Sequence, residues 1–266
     1  MPQKAYPWHQ PGETTQEGLT YQEALISFIA SRVNPDTQEL EAPFSSRQVL
    51  ERIREFVRIA RSDSRVCSDI IENSYIHKNG FRKVVLAKEA GFALRFHFYL
   101  VDDGDENIHD HRWKKMHSLV LNGELTAEYF QAVEDGGDLY QSHIYSKTGN
   151  GIGYNVEHTG TQRLAKIARV VHSSGEYYSM NSTEMHKIVA SKDPVSTLVL
   201  TEPVPEERTW CNLYNKKVIS EAHEEETNER KLTFSELQDS LKQLEHYLSK
   251  SIREMEAEEL QIGVCY

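Results

Sequence analysis

From Phe81 to Thr201 the apolar residues recur at every second position, in short runs separated by turn residues. A period of two belongs to a pleated strand whose alternate side chains point to opposite faces. Residues 82–86, 92–99, 124–131, 140–145, 153–158, 165–172, 176–180, 185–190 and 196–201 carry this pattern, and no helical pattern interrupts them. Roughly ten strands at such short, even spacing must pair antiparallel and close as a barrel or sandwich. The expected class is mainly β.

The flanks keep a different period. Residues 1–18, with three prolines and two glycines, form an irregular arm. Thr20 with Glu23 makes a capping box, and Tyr21, Ala24, Leu25, Phe28 and Ile29 follow at helical spacing until Asn34-Pro35 stops the helix. After a loop with Pro43, Ser45 or Ser46 caps a second stripe: Val49, Leu50, Ile53, Phe56, Val57 and Ala60. A third helix runs over 62–73. These N-terminal helices are expected to cover one side of the sheet. Pro203 and Pro205 close the barrel region, and 220–230 is a charged connector. Thr233 with Glu236 opens a long helix in which Leu237, Leu241, Leu244, Leu248, Ile252 and Met255 recur at threes and fours. That face either packs on its own barrel or joins a homodimer. The resulting division is 1–75, an arm and helical cap; 76–205, the barrel; and 206–266, the connector and C-terminal helix.

A formal charge of −11 argues against nucleic-acid and anionic-membrane partners. Cys67, Cys211 and Cys265 are odd in number and far apart, as in a reducing compartment. No apolar run approaches the roughly 18 residues of a membrane-crossing helix. The N-terminal residues lack the apolar stretch of a secretory leader, so a cytoplasmic location is expected.

Chemistry concentrates at His109-Asp110-His111. On a strand the two imidazoles share a face, where they are either surface histidines or metal ligands. The acidic turn 102–106 precedes them, and the strand after them ends at Asn122-Gly123, a hairpin signal. A second stretch runs from Gly175 to a single His186. In the strand over 92–99, Leu94, Phe96 and Phe98 share one face. Arg95, His97 and Tyr99 share the other, as a solvated row or a cavity lining.

Together the two stretches resemble the paired motifs of the cupin superfamily. His109, His111 and Gly123 fit the first motif, with Met116 where its glutamate belongs. Gly175 and His186 keep the second motif's spacing, with Asn181, Thr183 and Ala190 replacing its Pro, Gly and Asn. The closest resemblance within the superfamily is to thiol dioxygenases of the cysteine dioxygenase type, across 75–205. It implies a cupin-like antiparallel β-barrel or jelly roll with a metal held by His109, His111 and His186, and Met116 beside it without ligating. Those enzymes place a serine, a histidine and a tyrosine on a late strand. Here Ser196, Leu198 and Leu200 occupy that array, which argues against a thiol substrate.

Three neutral imidazoles leave the charge of a divalent metal uncompensated and several coordination positions open. Iron and zinc both suit these ligands; the resemblance implies Fe(II), with Zn or another divalent transition metal as the alternative. The resulting reading is an O2-dependent oxygenase acting on a small polar, amino-acid-like molecule. The alternative is a non-oxidative metal cupin, an isomerase or hydrolase, or a ligand-binding module. Arg95, His97, Arg112, Trp113 and Tyr178 are the candidate substrate contacts, with Arg95 or Arg82 pairing a carboxylate. His117 is expected to point outward, and His143, His158 and His172 to be structural.

Overall fold

A computed structural model describes residues 20–32, 46–77, 80–147, 154–219 and 230–263. The N-terminal arm, the Asn34-Pro35 stop, the loop with Pro43, the Ser45 cap, Gly153, Cys265 and nearly all of the charged connector lie outside these residues. Three helices come first: α1 (Tyr21–Ala30), α2 (Arg47–Ser62) and α3 (Ser64–Asn73). Strands β1 (Tyr75–Ile76), β2 (Arg82–Glu89), β3 (Phe92–Tyr99), β4 (Ile108–His109), β5 (Lys115–Asn122) and β6 (Glu124–Ala132) follow. Then come β7 (Asp138–Lys147), β8 (Tyr154–Ser173), β9 (Tyr177–Asn181), β10 (Met185–Val189), β11 (Val195–Thr201), β12 (Trp210–Asn215), β13 (Arg230–Lys231) and helix α4 (Phe234–Gly263).

The strands form two antiparallel arrays, a seven-stranded sheet ordered β13-β1-β2-β3-β11-β5-β9 and a closed ring ordered β10-β4-β12-β7-β8-β6. This is the mainly β, cupin-like jelly roll with N-terminal helices and a long C-terminal helix that the periodicity and motifs imply. Alternation sorts the seven-stranded sheet into two buried faces. Leu94, Phe96, Phe98, Leu119, Leu121, Leu198 and Leu200 join α1 to α4 in one core. Their neighbours along the strands face the second array. Arg82 takes the helix side, with its guanidinium carbon 5.9 Å from the Phe98 ring.

Helices α1 and α4 start where their caps predict, whereas α3, expected from residue 62, starts at Ser64 because Asp63 caps it and α2 runs on to Ser62. Glu23 N–H donates to the Thr20 hydroxyl at 3.2 Å, and Glu236 N–H to the Thr233 hydroxyl at 3.2 Å. Leu237, Leu241, Leu244 and Leu248 of α4 are wholly buried in the same core as Leu50, Ile53, Phe56 and Val57 of α2. Glu245 of α4 accepts from Arg58 at 2.9 Å and also from Arg61, and Arg47 reaches Glu256 at 2.8 Å. The leucine face offered above to a homodimer is thus covered within the chain. No helix among the described residues is long and apolar enough to cross a membrane.

Three expectations need correction. Asn122-Gly123 is not a hairpin: β5 pairs with β11 and β9, whereas β6 pairs with β10 and β8. Gly123 turns the chain from one array into the other at φ +78°, where an added Cβ would lie 2.7 Å from the Pro194 carbonyl. Only glycine meets both demands. The strands expected at 153–158 and 165–172 are one, β8, because Gly160 and Thr161 pair with Ser142 and Gln141 of β7 and the ladder resumes at His158 after one bulged residue, Thr159. Finally, β12 lies beyond Pro203 and Pro205 yet pairs with both β4 and β7. The prolines shape the approach to this strand without ending the barrel.

The α2–α4 contact carries much of the helical side, so Leu244→Ala should lower unfolding free energy by about 2–5 kcal/mol. Urea titration checks this; an unchanged midpoint would place the core elsewhere.

Candidate metal centre

His109 ends the short strand β4 and lies directly opposite His186 of β10 in the antiparallel register. The two ring centroids are 4.5 Å apart, and His111 stands 5.2 Å from His109 and 4.9 Å from His186. One nitrogen from each of the three rings falls within 4.8 Å of the other two. Two paired strands of the closed ring, with the loop that leaves β4, therefore deliver the donors that the two sequence stretches propose.

Of the His109–His111 pair only His109 sits in a strand, so simple alternation does not place His111. The chain leaves β4 at Asp110, whose N–H donates to the Asn212 carbonyl at 3.2 Å. Its carboxylate accepts from Asn212 N–H at 2.7 Å, from the Asn212 side chain at 2.6 Å and from Arg208 at 2.6 Å. Burial alone pushes that carboxyl up, while Asn212 and Arg208 favour its charged form. On the other side, His111 N–H donates to the Ser182 carbonyl at 3.1 Å. The loop is held from both sides, and the His111 ring turns nearly perpendicular to that of His109, at 80°.

The ring nitrogens are assigned by their partners. Nδ1 of His109 donates to the Asn107 carbonyl at 3.3 Å, and Nδ1 of His186 to the Glu184 carbonyl at 3.4 Å. These bonds leave Nε2 as the donor atom on both rings. Nε2 of His111 is buried with no hydrogen-bond partner among the described residues. Burial, reinforced by the neighbouring imidazoles, holds His111 well below the usual histidine range; burial and His109 bring His186 down to about 3. Rings kept neutral are in the form that ligates metals. The donor set thus fits a divalent transition ion.

A cavity of about 780 Å³ opens from the three rings and is lined by both arrays. Arg95, His97, Arg112, Trp113, Tyr178 and Met116 all border it, so each sequence candidate reaches the same space. Arg95 donates to the Thr201 hydroxyl at 2.6 Å and holds its guanidinium carbon 4.8 Å from the Trp113 ring, which lies 4.9 Å from His111. Tyr178 stacks on His172 at 4.0 Å, and burial raises its phenol.

Arg82 is the exception: it faces the helices. Lys83 takes its place in the cavity wall, opposite His97 in the β2–β3 register. The signal was present, because Val84 and Leu86 mark the apolar face and so turn Lys83 to the other. Tyr99, Thr197 and Thr201 complete the wall. Leu198 and Leu200 lie in the helix-side core, so the residues β11 shows to the cavity are Thr197, Val199 and Thr201. The comparison with a late-strand histidine and tyrosine therefore shifts by one residue, and neither residue type stands there.

His117 turns away from the three rings, as its offset implies, but into the interior and not into solvent. Its Nδ1 meets the Tyr177 hydroxyl at 2.7 Å and its Nε2 the buried Glu202 carboxylate at 2.9 Å. His143 accepts from Ile219 N–H at 3.0 Å, His158 contacts Gln141 at 2.9 Å, and His172 contacts Glu176 at 2.9 Å.

Asp110→Asn should keep the fold but loosen the loop that carries His111, weakening metal affinity about 10-fold to 100-fold. Competition with a chelator of known affinity measures this, and unchanged affinity would remove Asp110 from any role at the site.

No protein-family model matches the chain, and no curated protein matches it. Several solved structures share part of the architecture. The Drosophila melanogaster CENP-C cupin domain aligns at 13% identity over 47% of this chain and 71% of its own, with a TM-score of 0.30. A hydroquinone 1,2-dioxygenase in complex with Cd2+ and 4-hydroxybenzonitrile aligns at 14% identity over 52% and 71%, with a TM-score of 0.31. A cupin superfamily protein from Desulfitobacterium hafniense DCB-2 aligns at 10% identity over 48% and 81%, with a TM-score of 0.28. What this chain does rests on its own residues.

Proposed function

We propose that the protein is a mononuclear, metal-dependent oxygenase in which His109, His111 and His186 hold Fe(II) and O2 oxidises a small polar organic molecule. The observation that carries this reading is the buried, partnerless Nε2 of His111 beside two more imidazoles already oriented by backbone carbonyls. A ring nitrogen shut away from water without a partner costs about 1–3 kcal/mol, which coordination would offset. A divalent transition ion held by three neutral histidines supplies Lewis acidity and redox chemistry with dioxygen.

The chain's own residues supply the rest. Arg95 and Lys83 bring positive charge to the cavity wall. Tyr99 and Tyr178, kept protonated by burial, line it as O–H donors. Met116, Met180 and Val199 form an apolar cluster that excludes water from one side. A thioether at Met116 is a soft donor beside a hard divalent ion and leaves the set at three. A thiol amino acid is the less suitable substrate, since β11 presents Thr197, Val199 and Thr201 with no histidine or tyrosine among them.

Metal analysis of anaerobically purified protein should give one iron per chain, falling well below one in His109→Ala, His111→Ala and His186→Ala. Full occupancy in all three variants would reject the centre. Iron occupancy without O2 uptake across a panel of organic acids would favour the non-oxidative reading, with zinc as the alternative ion. Met116→Glu tests its position beside the metal: the absorption spectrum of the cobalt-substituted protein should change as a carboxylate joins the set. An unchanged spectrum would place Met116 out of reach.

A further inference from the structure

Beyond the three histidines, the cavity floor has a composition that metal binding does not require. Along the inner face of the seven-stranded sheet, Lys83 lies opposite His97, which lies opposite Thr197. In the next row Val85 lies opposite Arg95, which lies opposite Val199. Two full cations thus stand one row apart, inside a chain whose formal charge is −11. Between them His97 is about nine-tenths buried, and its Nε2 has no hydrogen-bond partner among the described residues. Burying a ring nitrogen in this way is unfavourable unless something compensates it.

Flat rings provide the second observation. The Lys83 ammonium lies 5.3 Å from the centre of the Tyr75 ring, and the Arg95 guanidinium 4.8 Å from that of Trp113. Phe81 stands 5.0 Å from His97. Trp113 reaches from Arg95 at one side to His111 at the other, 4.9 Å away. A molecule anchored by an anionic group at Arg95 would therefore run along an indole face toward the metal ligands. The space, about 780 Å³, lies in the upper part of the range that encloses drug-sized ligands. A three-carbon amino acid would leave most of it to water.

We infer that this floor is the binding subsite for an aromatic carboxylate, with the carboxylate on Lys83, Arg95 and His97 and the ring against Trp113; its role as a substrate subsite, though not the binding itself, rests on the metal-centre reading above. Charge-assisted hydrogen bonds from lysine and arginine supply affinity, the histidine nitrogen gains its missing partner, and ring stacking selects a planar body. Aliphatic acids satisfy the first two and forfeit the third. Neutral aromatics do the reverse.

Calorimetric titration of the full chain, metal-free and metal-loaded, with 3-phenylpropanoate, 3-phenylpropanamide, butanoate and cysteine tests this directly. The aromatic acid should bind the metal-free protein at least 10-fold more tightly than each of the other three. Lys83→Met and Arg95→Met should each weaken it about 10-fold while leaving the amide unchanged, and Lys83→Arg should restore most of the loss. Equal affinity for acid and amide, or tighter binding of cysteine or butanoate, would overturn the inference on wild-type protein alone, whether or not the variants fold. Metal content measured on the same samples separates the two readings. Binding of 3-phenylpropanoate without metal occupancy sinks only the centre, and metal occupancy without that binding sinks only the subsite.

Discussion

A sheet covered on both faces has no solvent side on which to place a polar group, and this constraint governs the molecule. All seven residues of β11 are buried. Helices α1 to α4 close one face with leucines and phenylalanines, and the second array closes the other. Every lysine, arginine or histidine on the inner face is therefore there against the hydrophobic effect and must be held by a partner, a ring face or a ligand. The concentration of such groups along β2 and β3, next to three imidazoles, marks a chemical interior where the helix side of the same strands is purely structural.

The site also shows how a fold sets donor geometry without a long regular element. Pairing of His109 with His186 fixes two rings by register alone. The third depends on Asp110, which leaves the ladder and takes three hydrogen bonds on its carboxylate. A residue between two imidazoles, turned away from both, thus decides where one of them points. The partner strand, β12, lies after the prolines, so the residues that orient the loop come from well outside the motif that carries it.

Much of this was legible in the sequence, and the limits have physical causes. Period-two runs gave the class and most strands, most clearly in β2, β3, β5 and β11, each of which sets one apolar face against the helices. The capping boxes at Thr20 and Thr233 placed two helix starts. The resemblance to the paired cupin motifs brought His109, His111 and His186 together without any contact information. The failures occurred where tertiary pairing overrides local chemistry. Asn122-Gly123 has hairpin composition, yet the demand at that point is a close approach to Pro194. Gly160 looks like a break, yet it pairs with Ser142 of β7 and the ladder runs on to either side across a one-residue bulge at Thr159. Arg82 and Lys83 are chemically alike, and only strict alternation from Val84 tells them apart.

The corner at Gly123 has a consequence for how the protein reaches its native state. In a hairpin, sequence neighbours are also sheet neighbours, and structure grows outward from the turn. Here β5 finds its partners in β9 and β11, and β6 in β8 and β10, across long stretches of chain. Such non-local pairing raises contact order and slows assembly, because loop-closure entropy is lost before the contacts that reward it are made. His186 can meet His109 only after β10 has docked. An ion held by these rings would therefore not be an early template that draws an unfolded chain together; it would bind an assembled barrel and stabilise it by mass action.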